Sequence, residues 1–303
     1  MSQKNYLARL KSAAEKMTQI MSDKGFELSF GGQGALPKRK PSAPTDVRSE
    51  FLANRALGDW AEKSLAHAIR SAGVWDVAHY GQSDSISAGD EGFREFYLNQ
   101  LELVRLFGKR PDLLIFEDKT QLKSIVDFDI SMFDQKTLDA FASNAIASIE
   151  VRSSKVEAIR YMRVRKEDRA AGKSTKATRD TPSFTIKAED LVIVYRWLER
   201  YKISQTYCQV FFDSVWAMNV LDIFEWISTN EFKIDNPDKS QGKATILIPI
   251  TEGTKVGDFD STPSQTLRPK VSRLGRHDTY IEPEFDPTKL NLNLDAFKSV
   301  VFK

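Results

Sequence analysis

Apolar residues recur at three- and four-residue steps over residues 5–24, at Leu7, Leu10, Ala14, Met17 and Met21. That is the spacing of one helix face, and Gly25 is its expected stop. The same period predicts a second helix from about Ser49 to Ala72, with Leu57, Trp60, Ala61, Leu65, Ala68 and Ala72 on one stripe and Gly73 after it. A short apolar run at Leu113–Phe116 predicts a buried strand. Residues 135–147 predict a helix, and in ASIEVRSS strict alternation puts Ile149 and Val151 on one face and Glu150 and Arg152 on the other. Residues 188–201 form a third strong helical pattern, with Glu189 and Asp190 in its first turn, where the helix dipole favours acids. TYCQVFFDSVWAMNVLDIF reads as two strands joined near Asp213 and Ser214, running into a helix through Trp226. Residues 166–180 are polar and predict a surface loop, and the C-terminal part predicts one strand, KATILIPI, and long loops. The alternation of helices and strands implies a mixed α/β layer architecture.

Composition changes this picture little. With 303 residues, 41% hydrophobic and 28% charged, the chain can bury a sizeable core. No run approaches the length of a membrane helix, and the charged N-terminus has no signal-peptide core. A cytoplasmic protein without membrane contact is expected. A single cysteine, Cys208, excludes an intramolecular disulfide and a multi-cysteine zinc site. His67, His79 and His277 have no shared metal-ligand spacing.

Charge adds more through its placement than through the net value of +2. Basic residues cluster at Lys38, Arg39 and Lys40, again from Arg160 to Lys187 (with Arg163, Arg165, Lys173 and Lys176 among them), and at Arg268, Lys270, Arg273 and Arg276. Such segments on a near-neutral chain suit contact with a polyanion along one face. Solvated loops are the bland alternative.

Three acids carry the candidate chemistry: Glu62 on the second helix, Asp112 at the mouth of a strand and Glu150 within a strand. Two carboxylates converging from neighbouring strands supply what Mg²⁺ takes from a protein, with water and substrate phosphate completing the shell. GDWAEKSL, then KRPDLLIF, then SIEVRSS resembles the helix glutamate, Pro-Asp strand and Glu-x-Lys strand of the PD-(D/E)xK nucleases. The continuation through PSFTIKAEDL and YCQVFFDSVWAMNV is similar to the AccI-type restriction endonucleases.

The resemblance implies a restriction-endonuclease-like α/β fold, a central mixed β-sheet flanked by helices. It would have an N-terminal helix and basic arm over 1–48, a nuclease core over 49–230 with a basic insertion at 160–187, and a C-terminal extension over 231–303. It implies a type II, Mg²⁺-dependent endonuclease that cuts double-stranded DNA at a short palindromic site as a homodimer, beside a cognate DNA methyltransferase. Asp112, Glu150 and the Val151 carbonyl would hold the metal, and Glu62 would sit behind or beside it. Lys38, Arg39, Lys40, Arg163, Arg165, Lys173, Lys176, Arg273 and Arg276 would contact DNA. One position departs from the family: Arg152 stands where it has lysine. Arginine stabilises charge but does not give up its proton in the working range, so Lys155 and Lys187 become candidates for the catalytic cation, with Lys187 slightly favoured. A structure-specific nuclease and a non-catalytic DNA-binding protein with a decayed core are the rival readings.

Overall fold

In the structure, a computed structural model, residues 3–30, 49–81, 91–117, 122–173, 179–238, 243–271, 277–285 and 288–303 are described. The first half contains helices α1 (Gln3–Asp23) and α2 (Ser49–Ser71), strand β1 (Asp76–His79), α3 (Phe93–Phe107), β2 (Leu113–Phe116), α4 (Gln135–Asn144) and β3 (Ala147–Ser153). The second continues with α5 (Ala158–Ala170), β4 (Ser183–Lys187), α6 (Ala188–Tyr201), β5 (Gln205–Val210), β6 (Ser214–Asn219) and α7 (Val220–Thr229). It closes with β7 (Ile234–Asp238), β8 (Lys243–Pro249), β9 (Thr254–Phe259), β10 (Gln265–Val271), β11 (His277–Phe285), β12 (Leu290–Leu292) and α8 (Leu294–Val301).

A seven-stranded sheet in the order β1-β2-β3-β5-β6-β9-β12 organises the molecule. Its neighbours run antiparallel except β3 and β5, which are parallel. Parallel neighbours need a long crossover, and the segment through α5, β4 and α6 provides it. β5 is buried at every residue, as a central strand covered on both faces must be. One face carries Leu57, Trp60 and Leu65 of α2 and Phe297 of α8 against Ile149, Val151 and Cys208. The other carries α1, α6 and α7, with Leu10, Trp197 and Phe224 packed over Leu114, Phe116 and Tyr207. Tyr6 of α1 donates to Asn219 Oδ1 at 3.0 Å, tying the first helix to the end of β6. β4, β8 and β7 form a second antiparallel sheet, and β10 pairs with β11.

Three expectations need correction. α5 reaches into the loop expected over 166–180, running to Ala170, and β4 starts beyond it at Ser183. The helix escapes the periodicity because Ala158 is its sole buried residue, so it has no apolar stripe. The helix expected over 135–147 ends at Asn144, because Ala147 already belongs to the ladder with β2. The C-terminal part carries β7 to β12 and α8 instead of one strand and loops. Polar β10 and β11 lack an alternating apolar pattern, and their register shifts beside Pro269, which has no N–H for a ladder. β1 and α3 also have no counterpart in the pattern reading.

Candidate active site

β2 and β3 pair with Leu113 opposite Ile149 and Leu114 opposite Ser148. Continuing that register by one residue sets Asp112 opposite Glu150, on one face at the end of β2. Three further hydrogen bonds hold Asp112. Its carbonyl accepts from the Tyr80 and Gly81 amides at 2.9 and 3.1 Å, and its Oδ2 accepts from the Val151 amide at 2.6 Å. In a strand the N–H and C=O of one residue leave on the same edge. The Val151 carbonyl therefore lies on the β2 side of β3, the side Asp112 occupies.

Glu150 is 1% exposed. Its Oε1 accepts from Lys109 Nζ and forms an ion pair with Arg152 Nη2 at 2.9 Å, while its buried Oε2 has no hydrogen-bond partner. Arg152 also lies 3.7 Å from Asp190 in the first turn of α6. Glu150 raises the Arg152 pKa further above its already high ordinary value, so this guanidinium stays charged. Burial, reinforced by the neighbouring Glu150 charge, pushes the Asp112 carboxyl up to about 7. Glu62, reaching the same end of the sheet from α2, is pushed up to about 9 by burial first and then by Asp112, Asp59 and Glu150. Its Oε2 stands 4.0 Å from His79 Nδ1, whose own pKa is lowered by burial and by Arg70. Burial thus favours the neutral form of both groups, which weakens this contact as an ion pair.

Glu62 and Asp112 line a cleft of about 880 Å³ that also takes in His67, His79, Asp127 and Asp129. The three histidine positions that show no common spacing thus include two on one cleft. Among the described residues, no three His, Cys, Asp or Glu side chains are grouped as a ready-made metal site.

The structure therefore brings Asp112, Glu150, Arg152 and Glu62 together. Lys187 is exposed at the end of β4 and is not among the side chains on Glu150. Lys155 is also exposed, two residues beyond β3. The cation that does reach Glu150, beside Arg152, is Lys109, which the pattern reading missed. Its delivery depends on Gly108, whose φ is 86° and where a Cβ would lie 2.4 Å from the Trp197 nitrogen. Only glycine lets the chain press this closely on α6, and the Lys109 amide then donates to Ile193 O at 3.0 Å. The signal was present: Lys109 stands three residues before Asp112 in the same GKRPD run. Asp190 was missed as a site residue because a first-turn acid is explained by the helix dipole alone.

Among the basic candidates, Arg165 is mostly buried against the Arg179 carbonyl and Asp180, and Lys173 lies 3.7 Å from Asp168. Arg163 is exposed on α5. Asp213, the strand-end acid in FFDS, caps α5: its carboxylate accepts from the Ala158, Ile159 and Arg160 amides at 2.8, 2.8 and 3.2 Å. Lys38, Arg39, Lys40, Lys176, Arg273 and Arg276 lie outside the described residues.

A family model described as AccI restriction endonuclease matches residues 28–177 and 163–281, well over half of the chain. No curated protein and no solved structure matches it. Among the described residues, no helix is long and apolar enough to cross a membrane.

Proposed function

We propose, from the premise that this chain belongs to the AccI restriction endonuclease family and is a nuclease that hydrolyses DNA, that it is a type II enzyme with a PD-(D/E)xK core. It cuts both strands of a short palindromic site as a Mg²⁺-dependent homodimer and works beside a cognate methyltransferase. A two-fold protein on two-fold DNA places one site on each strand. The observation that carries the reading is the cross-strand placement of Asp112 and Glu150 at the open end of β2, with Val151 bonded to Asp112.

The donor set fits Mg²⁺. It is all oxygen, from two carboxylates and the Val151 carbonyl, and Mg²⁺ keeps several waters, so few protein ligands suffice. Glu150 Oε2 is buried without a partner, and its charge raises the pKa of Asp112 and, with Asp112, that of Glu62, so this corner favours added positive charge. When bound there, Mg²⁺ would polarise the phosphoryl oxygen and acidify the attacking water. The chain's own cations then act on the phosphate. Arg152, fixed between Glu150 and Asp190, stabilises charge growing on the pentacovalent phosphorus, and Lys109 adds a second positive charge from the other strand end. Arg152 serves no proton transfer, because its guanidinium stays charged.

Plasmid digestion tests the reading. Discrete fragments in Mg²⁺, binding without cutting in Ca²⁺ and silence in EDTA are expected. Undiminished cutting by Asp112→Ala or Glu150→Ala would remove the assigned site, and smearing or branch cutting would remove the type II assignment.

A further inference from the structure

Two faces of α2 have separate tasks. Leu57, Trp60, Ala61, Leu65 and Ile69 are buried against the sheet. Arg55, Asp59, Lys63, His67 and Arg70 follow one another at three- and four-residue steps on the other face, in register with Glu62. All of them line the cleft that contains Asp112. From residue 55 to residue 70 this ridge rises about 22 Å, at 1.5 Å per residue.

The opposite wall is the turn at Asp127 and Phe128, two successive left-handed residues with φ of 53° and 55°. Such conformations are costly for side chains with a Cβ and persist only where the surroundings impose them. Several contacts do so. The Arg70 guanidinium lies over the Phe128 ring at 4.7 Å while donating to Val77 O at 3.0 Å. Ile130 N–H donates to His79 O at 2.9 Å, and Ser131 N–H donates to Asp129 Oδ1 at 2.8 Å. Both walls of the cleft are thus tied to β1 and to each other, so its width is set by the fold.

We propose that the α2 ridge is the track for the sugar–phosphate backbone of the strand being cut, with Arg55 and Lys63 as its phosphate contacts and Arg70 as the residue that holds the facing wall. This rests on the nuclease reading above. The charge layout supports it: Arg55 and Lys63 stand two turns apart, and the acids Asp59 and Glu62 gather between them, beside Asp112. A phosphate chain thus meets cations on either side of the acidic spot that is to receive its scissile group.

The test compares the intact chain with Arg55→Gln/Lys63→Gln and with a matched variant, Lys11→Gln/Lys16→Gln, on the exposed side of α1. Binding to a short mixed-sequence duplex is measured in Ca²⁺ across salt concentrations, and cleavage kinetics in Mg²⁺. The α2 pair should flatten the log–log salt slope by about two units, close to one per lost phosphate contact. KM should rise on the order of tenfold with kcat at saturating DNA retained, Lys63→Arg should restore most of the affinity, and the α1 pair should leave the slope unchanged. An unchanged slope for the α2 pair overturns the track, and so does a slope lost equally in the α1 pair. If the α2 pair fails to fold by thermal melting, Lys63→Gln alone, at an exposed site, decides by the same slope. A wild-type chain that neither binds nor cuts any duplex would instead sink the nuclease reading, with the ridge variants irrelevant.

Discussion

Lys109 and Arg152 meet on a single oxygen of Glu150, and their chemistry differs more than their charge does. Arg152 is a planar fork already engaged by two carboxylates, whereas Lys109 is a point charge on a flexible stem. Removing either leaves the buried Glu150 carboxylate with one cation fewer. Lys109→Ala should slow cleavage on the order of 10²–10³-fold, the usual loss for one electrostatic partner of the transition state. Lys109→Arg should recover part of that rate, as should Arg152→Lys, because a cation remains on Glu150. Lys187→Ala and Lys155→Ala, at exposed positions away from Glu150, should cut at close to the normal rate. Single-turnover cleavage of the same plasmid checks all five. Normal cutting by Lys109→Ala, with Lys187→Ala inactive, would return the catalytic cation to the β4 end. Asp112 and Glu150 were legible in the sequence because a Pro-Asp before an apolar run and an acid between two β-branched apolar residues are local features. The contact between Lys109 and Glu150 was not, because it depends on the approach of Gly108 to α6 rather than on any spacing.

Elements whose partners lie near in the pattern were easy to read, and those specified from afar were not. α1, α2 and α6 each bury a clean stripe, and their expected limits fall within a few residues of those observed. α5 is the opposite case. Its polar surface gives no period, and its start is fixed by Asp213, which lies 55 residues from Ala158 in sequence. A carboxylate that satisfies three first-turn amides and faces the positive end of the helix dipole should contribute strongly for a cap. Asp213→Ala should therefore destabilise the chain by about 1–2 kcal/mol, with Asp213→Asn in between. It should also raise amide hydrogen exchange first in Ala158, Ile159 and Arg160. If exchange there stays at the wild-type level while stability drops, the loss comes from the β5–β6 turn instead. The C-terminal strands were hidden for a related reason: β9 and β12 are short, and they join the central sheet by pairing, β9 with β6 and β12 with β9, rather than through their own sequence.

At the scale of the whole molecule, one end of the sheet concentrates acids that the fold holds partly protonated. Asp112 and Glu62 have folded pKa values of about 7 and about 9, while in the unfolded chain both ionise near about 4. Between those values the folded state holds protons that the unfolded state has released. Stability therefore falls as pH rises, through Asp112 until about pH 7 and through Glu62 until about pH 9, and its contribution is fully kept only below about pH 4. A cation among these carboxylates opposes the same trend, since it stabilises their charged forms. Melting temperature followed in EDTA should accordingly decline from about pH 5 to about pH 9, and Asp112→Asn/Glu62→Gln should flatten the decline by removing both titrations. Mg²⁺ should raise the wild-type melting temperature more at about pH 8 than at about pH 5, because binding needs deprotonated ligands. The double variant should lose most of that gain. A variant that keeps the full slope would place the pH sensitivity elsewhere in the molecule. A Mg²⁺ gain that is equal at both pH values would mean that the ion binds away from Asp112 and Glu62.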